Sequence, residues 1–152
     1  MNEVDALCNF RLAPLKTRRD IAILGMLHRV NLGQVSPQMA DFFEPIGERP
    51  VLGDFVAARV RGATAFHNRQ LRDRITANSS EQIKRSILGM VQCYNALPQQ
   101  FVDAKSVSLF QRQLQVVVTK RVRDGFDNWQ SLFSDGKRYS SLLRFQSYLS
   151  TL

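Results

Sequence analysis

Few side chains in this 152-residue sequence are of a type to do acid–base, nucleophilic or metal chemistry. The two cysteines, Cys8 and Cys93, lie far apart, and the two histidines, His28 and His67, are equally isolated. They form no C-x-x-C pair and no Cys/His ligand series, so no zinc knuckle or finger is recognisable. Nothing local supplies Cys93 with a base or lowers its pKa, and it reads as a small buried residue. His67, beside Asn68 and Arg69, has no acid–base partner in its own stretch; His28 falls one turn after Leu24 and reads as a structural histidine. The acidic residues form no paired cluster from which two-metal chemistry would follow. The chain is therefore expected to be non-catalytic, with no metal and no cofactor.

What remains is cationic chemistry. Net charge is +8, from 21 basic and 13 acidic residues. Residues 1–76 hold eleven basic against eight acidic side chains, and residues 77–152 ten against five, so the excess leans to the second half without a polybasic tail. Such a balance attracts RNA or DNA weakly and without sequence preference. The guanidinium fork matches phosphate, which makes Arg18, Arg19, Arg59, Arg61, Arg69, Arg72, Arg74, Lys120, Arg121 and Arg123 candidates for a nucleic-acid backbone. The same residues also suit a solubilising surface. Arg18 and Arg19 stand at a predicted helix start, where cations oppose the dipole, and that points to another partner, an acidic side chain or a phosphate.

The elements that must carry these residues are helical. With 44% apolar and 22% charged residues the composition is that of an ordinary globular chain. One helical domain over 1–152 is expected, all-α and irregular, with about four to six helices and a loop-rich, arginine-containing middle. Thr17 and Asp20 predict a helix start, Ile21 to Leu32 a heavily buried helix with Gly33 after its last turn, and Gly25 a place where a neighbour approaches. Ser36-Pro37 predicts a short helix through Met39, Phe42 and Phe43. From 47 to 78 the pattern is poor, with a short helix at 54–61 and either a helical turn or an extended segment at 64–75. Ser79 or Ser80 opens a helix to Asn95 whose face is Ile83, Ile87, Met90, Val91 and Tyr94.

The chain then turns through Tyr94, Asn95, Leu97, Pro98, Phe101, Ser106 and Phe110. Asn95 and Pro98 stop one helix, Leu97 and Phe101 fold back on it, and Ser106 caps the next, with Phe110, Leu114 and Val117 or Val118 on its buried face. Lys120, Arg121 and Arg123 suit that helix's C-terminus, and Gly125 or Asp127 interrupts it. Trp129, Leu132 and Phe133 form an amphipathic turn, and 139–152 a last helix. Arginines interrupt every hydrophobic segment, so no run of 18 apolar residues and no secretory segment is visible. The expected setting is intracellular, cytoplasmic or nuclear, not secreted and without a membrane partner.

Taken together, the Arg18-Arg19 helix, the corner Tyr94-Asn95-Ala96-Leu97-Pro98 and the stretch Ala104-Lys105-Ser106-Val107-Ser108-Leu109-Phe110 resemble the region C-terminal to the polymerase in reverse transcriptases of non-LTR, LINE-like retrotransposons. The resemblance spans about residues 12–115 and leaves a helical tail, 116–152, unplaced. The family usually has Trp where this chain has Tyr94. The resemblance implies a detached, non-catalytic tail, lacking the polymerase and endonuclease domains, that assists nucleic-acid backbone binding or packs on a polymerase domain or other protein. Beside it stand two further readings, a protein-interaction or scaffold domain with no nucleic-acid role and a decayed fragment without independent function.

Overall fold

In the computed structural model, which describes residues 2–47, 67–76, 78–126 and 129–133, seven α-helices and a short two-stranded ribbon follow one another. Helix α1 is Glu3–Phe10, α2 Leu15–Asn31 and α3 Pro37–Phe42. Strands β1 (Pro45–Gly47) and β2 (Gln70–Leu71) pair antiparallel, Pro45 opposite Leu71 and Gly47 opposite Gln70, with an irregularity between. Then come α4 (Glu81–Lys84), α5 (Ile87–Asn95), α6 (Gln99–Val102), α7 (Val107–Arg123) and a 3-10 turn at Trp129–Ser131. The expected all-α character holds, with more and shorter helices than the pattern promised.

Three differences have local causes. The helix expected to start at Thr17 starts at Leu15, just after Pro14, and Thr17 is buried one turn inside it, donating from Oγ1 to the Gln130 carbonyl at 3.2 Å. The single helix expected to end at Asn95 is two. Ser80 accepts the Ile83 N–H and caps α4; Arg85 ends it; Ser86 donates to the Ile83 carbonyl at 2.6 Å and accepts the Leu88 N–H, so α5 begins afresh. Gly89 lets this joint close, because a Cβ there would strike the Lys84 carbonyl. The third difference is α1, capped by Asn2, whose side chain accepts the Asp5 N–H at 2.8 Å. The segment 64–75, left open between turn and strand, is extended at 70–71. The helices expected at 54–61 and 139–152 lie outside the described residues.

Other signals hold. Ser36 and Ser106 cap α3 and α7 by accepting the N–H three residues on. Gly33 and Gly125 take positive φ of 69° and 79° after α2 and α7, a conformation that costs glycine least.

Helix α2 packs on both α5 and α7. It runs antiparallel to α7: the His28 ring stacks on Phe110 at 4.4 Å near one end, while Thr17 reaches Gln130 beyond the other. Between them Gly25 presents bare backbone to the Gln111 side chain. Leu24 and Leu27 of α2, Met90 and Tyr94 of α5, and Phe110, Leu114 and Val118 of α7 form the middle of one core, extended by Leu7, Trp129 and Phe133. Each Leu-sized side chain so buried contributes about 1.5–3 kcal/mol.

Candidate nucleic-acid interface

The ten basic candidates do not converge on one strip. Arg59 and Arg61 lie outside the described residues. Arg72 pairs with Glu44 at 3.2 Å, both side chains more than half exposed. Arg74 donates from Nε to the Phe42 carbonyl at 3.0 Å and lies over the Phe42 ring at 4.8 Å. These two tie the segment after β2 to the end of α3 and the turn that follows it. Arg69 is half-buried, and its carbonyl accepts from Asn31.

The others sit on the two long helices. Arg18 and Arg19 are exposed in the first turns of α2, and Arg123 is exposed at the end of α7; none forms an ion pair with a described residue. Lys120 pairs with Asp124 at 2.6 Å, and Arg121 covers the Phe126 ring at 4.2 Å. Three cations missed in the sequence join them, Lys16 and Arg29 on α2 and Arg112 on α7, all exposed. Helical spacing was the available signal, since Arg19, Ala22, Met26 and Arg29 share one exposed stripe, as do Leu109, Arg112, Val116, Lys120 and Arg123. Together α2 and α7 hold eight basic residues and one acid, Asp20, which is 5% exposed. The outer faces of both helices thus carry positive charge with no exposed carboxylate of their own. Beside the α7 stripe, Gln100, Phe101, Gln113, Val116, Val117 and Lys120 line a groove of about 300 Å³.

Behind these helices the corner residues assemble a buried polar centre. Tyr94 is its hub. His28 Nε2 meets the Ala104 carbonyl at 2.8 Å, which can only accept, so Nε2 carries the proton and Nδ1 is bare. The Tyr94 hydroxyl, 3.0 Å away, donates to that Nδ1 and accepts from Asn31 Nδ2 at 2.9 Å. On the other side His67 Nε2 donates to the Tyr94 carbonyl at 2.8 Å, while its Nδ1 accepts the Arg69 N–H at 3.1 Å. Asn95 does for β2 what a third strand would: its Oδ1 accepts the Leu71 N–H at 2.9 Å and its Nδ2 donates to the Leu71 carbonyl at 2.8 Å. Leu97 and Phe101 are buried, and Pro98 precedes α6.

Burial pulls both histidines below the ordinary imidazole range. For His28 the Ala104 bond opposes that effect and Arg69 adds to it. His67 falls to about 4, through burial first, opposed by its bond to the Tyr94 carbonyl and by Asp103, and reinforced by His28 and Arg69. Burial likewise pushes the Tyr94 hydroxyl up, against the Asn31 hydrogen bond and Arg69. With His28 and Tyr94 fully buried, this is a structural centre. Among the described residues no three His, Cys, Asp or Glu side chains are placed to hold a metal ion. Nor is any described helix long and apolar enough to cross a membrane.

A scan against protein-family models, a search of curated proteins and a search of solved structures each return no match. The LINE-like retrotransposon identity expected from the three stretches is accordingly corrected, and the chain is assigned to no family. The residues that suggested it have local packing roles. The Tyr94 hydroxyl serves His28 and Asn31, an arrangement Trp, with a donor only, would not reproduce. Asn95 holds Leu71, and Ser106 caps α7.

Proposed function

We propose that the chain is a non-catalytic domain that binds nucleic-acid backbone, RNA or DNA, through the outer faces of α2 and α7. One observation carries the reading: the exposed charge on those two helices is all positive, and their single acid is buried. Phosphate oxygens suit such faces, and the affinity they supply is electrostatic and indifferent to sequence. An intracellular setting, cytoplasmic or nuclear, belongs to the same proposal and agrees with Cys8 and Cys93 as free thiols.

Fluorescence anisotropy of a labelled single strand and a labelled duplex over rising salt tests it. The expected result is binding that weakens linearly in log–log form. No measurable affinity at about 50 mM salt sinks the proposal. A second reading, a protein-interaction domain, has its own support, because Leu15 is 74% exposed, Val116 62%, Phe10 59% and Leu12 54%. Self-association in sedimentation with no nucleic-acid affinity would favour it.

A further inference from the structure

We infer that the segment 67–71, with strand β2, is held on the helical core by an acid-released latch, in which protonation of His67 at Nδ1 breaks the hydrogen bond it accepts from the Arg69 N–H and frees the segment. His28 is a second proton-sensitive clasp, between α2 and the turn before α7.

The geometry leaves neither ring room for a second proton. His67 spans two elements, giving its one proton to the Tyr94 carbonyl of α5 and using its bare Nδ1 to hold the Arg69 N–H of its own turn. A proton on Nδ1 would set two donors against each other and open that turn. At His28, the Tyr94 hydroxyl hydrogen points to Nδ1, because the tyrosine oxygen already receives the Asn31 amide. A proton on Nδ1 would displace that hydrogen and leave it without its acceptor.

The surrounding charges on balance oppose an imidazolium. Around His67 stand Tyr94 of α5, His28 of α2, Arg69 in its own segment and Asp103 after α6. Asp103 is the one carboxylate among them; it is exposed, and its Oδ1 accepts from Gln99 at 2.7 Å. Around His28 stand Tyr94 of α5, Arg69 and the apolar Phe110 ring of α7. The folded state therefore excludes the proton, and the released state takes it up.

Release is local by construction. Arg69 lends its carbonyl to Asn31, Leu71 is tied to Asn95, and β2 carries β1 by pairing. The opposite end of α2, with Ile21, Trp129 and Leu132, belongs to the buried apolar core. Acid should thus loosen the ribbon segment before the α2–α7 pair separates.

Amide hydrogen exchange on the whole chain, read from pH 7 to 4.5 and corrected for the intrinsic rate, tests this. Below the ordinary imidazole pKa of about 6.5 the Arg69 and Leu71 amides should lose protection by up to about tenfold per pH unit, and at every pH they should exchange well ahead of Leu114 and Val118, which open only with the whole fold. In His67→Gln, whose amide can still donate to the Tyr94 carbonyl but does not titrate, the loss at Arg69 and Leu71 should flatten. Constant protection in the native chain, protection at Arg69 and Leu71 no lower than that at Leu114 and Val118, or an undiminished acid loss in His67→Gln would each overturn the latch. Imidazole nitrogen NMR of the native chain gives a check that needs no variant. Both rings should be neutral with Nε2 protonated at pH 7, and a His67 that titrates near 6.5 while the Arg69 amide stays protected would also overturn it.

Discussion

Behind the α2–α7 pair, Tyr94 joins His28, Asn31 and His67 in a set of buried hydrogen bonds in which each ring nitrogen has one partner of the right kind. In front of the same pair, Arg18, Arg19 and Arg123 stand in solvent without an ion pair among the described residues. The two regions carry polar chemistry on the same helices with opposite consequences. Inside, a group removed leaves its partner unsatisfied in a low dielectric, so the fold depends on it. Outside, a cation removed changes little but the field presented to a ligand. The inner region should therefore answer to mutation and acid, and the outer one to salt.

The largest break in that comparison is expected at the hub. Tyr94→Ala removes a fully buried ring and strips His28, Asn31 and His67 of their common support. A loss of about 3–5 kcal/mol is expected, a large share of the roughly 5–15 kcal/mol of a typical domain. Tyr94→Phe keeps the ring and deletes the oxygen, leaving His28 Nδ1 and one Asn31 donor bond unmet, for about 1–3 kcal/mol. Urea denaturation measures both. Equal losses in the two variants would mean that the hydroxyl carries the whole effect and the packed ring none.

How much of this was legible in the sequence depends on how far a partner lay along the chain. Caps were readable because Ser36 and Ser106 bond three residues ahead. The buried faces of α2 and α7 were readable from their periodicity. The corner was readable as a stop and a restart. The polar centre was not, because His28 reaches Tyr94 and Ala104 across 66 and 76 residues, and His67 reaches Tyr94 across 27. No local pattern announces such partners. The break at Ser86 was missed for a different reason: Ile83 and Ile87 keep helical spacing across it, while Ser86 and Gly89 make the joint. On the surface, the sequence offered a list of arginines but could not separate Arg72 and Arg74, engaged by Glu44 and Phe42, from those on the long helices.

Acid is expected to break the comparison next, and on the inner side alone. Unfolded His67 has the ordinary pKa of 6.5, and in the fold it titrates at about 4, so on acidification the unfolded chain binds the proton first. Its contribution is intact above pH 6.5 and declines as pH falls toward 4, by about 2 kcal/mol at pH 5 and about 3 kcal/mol in all. His28, lowered by the same burial, acts in the same direction. Unfolding midpoints in urea at pH 7.5, 6 and 5 should fall in that order. A flat profile would mean that the two rings accept the charge where they stand.

The smallest effect on the fold is expected on the outer side, where the contrast is between two kinds of arginine. Arg18→Gln with Arg19→Gln removes two exposed cations near the positive end of α2, where they oppose the dipole, and stability should move by no more than about 0.5 kcal/mol. Arg72→Ala breaks an exposed ion pair with Glu44 and should cost about 0–1 kcal/mol. Binding should reverse the order. If the faces of α2 and α7 carry the phosphate contacts, each arginine lost there lowers the salt slope by about one, whereas Arg72→Ala leaves it unchanged. Measuring both slopes beside both denaturation curves separates the two roles. A slope that falls as much for Arg72 as for Arg18 would spread the interface over the ribbon and end the distinction between the α2–α7 faces and the rest of the surface.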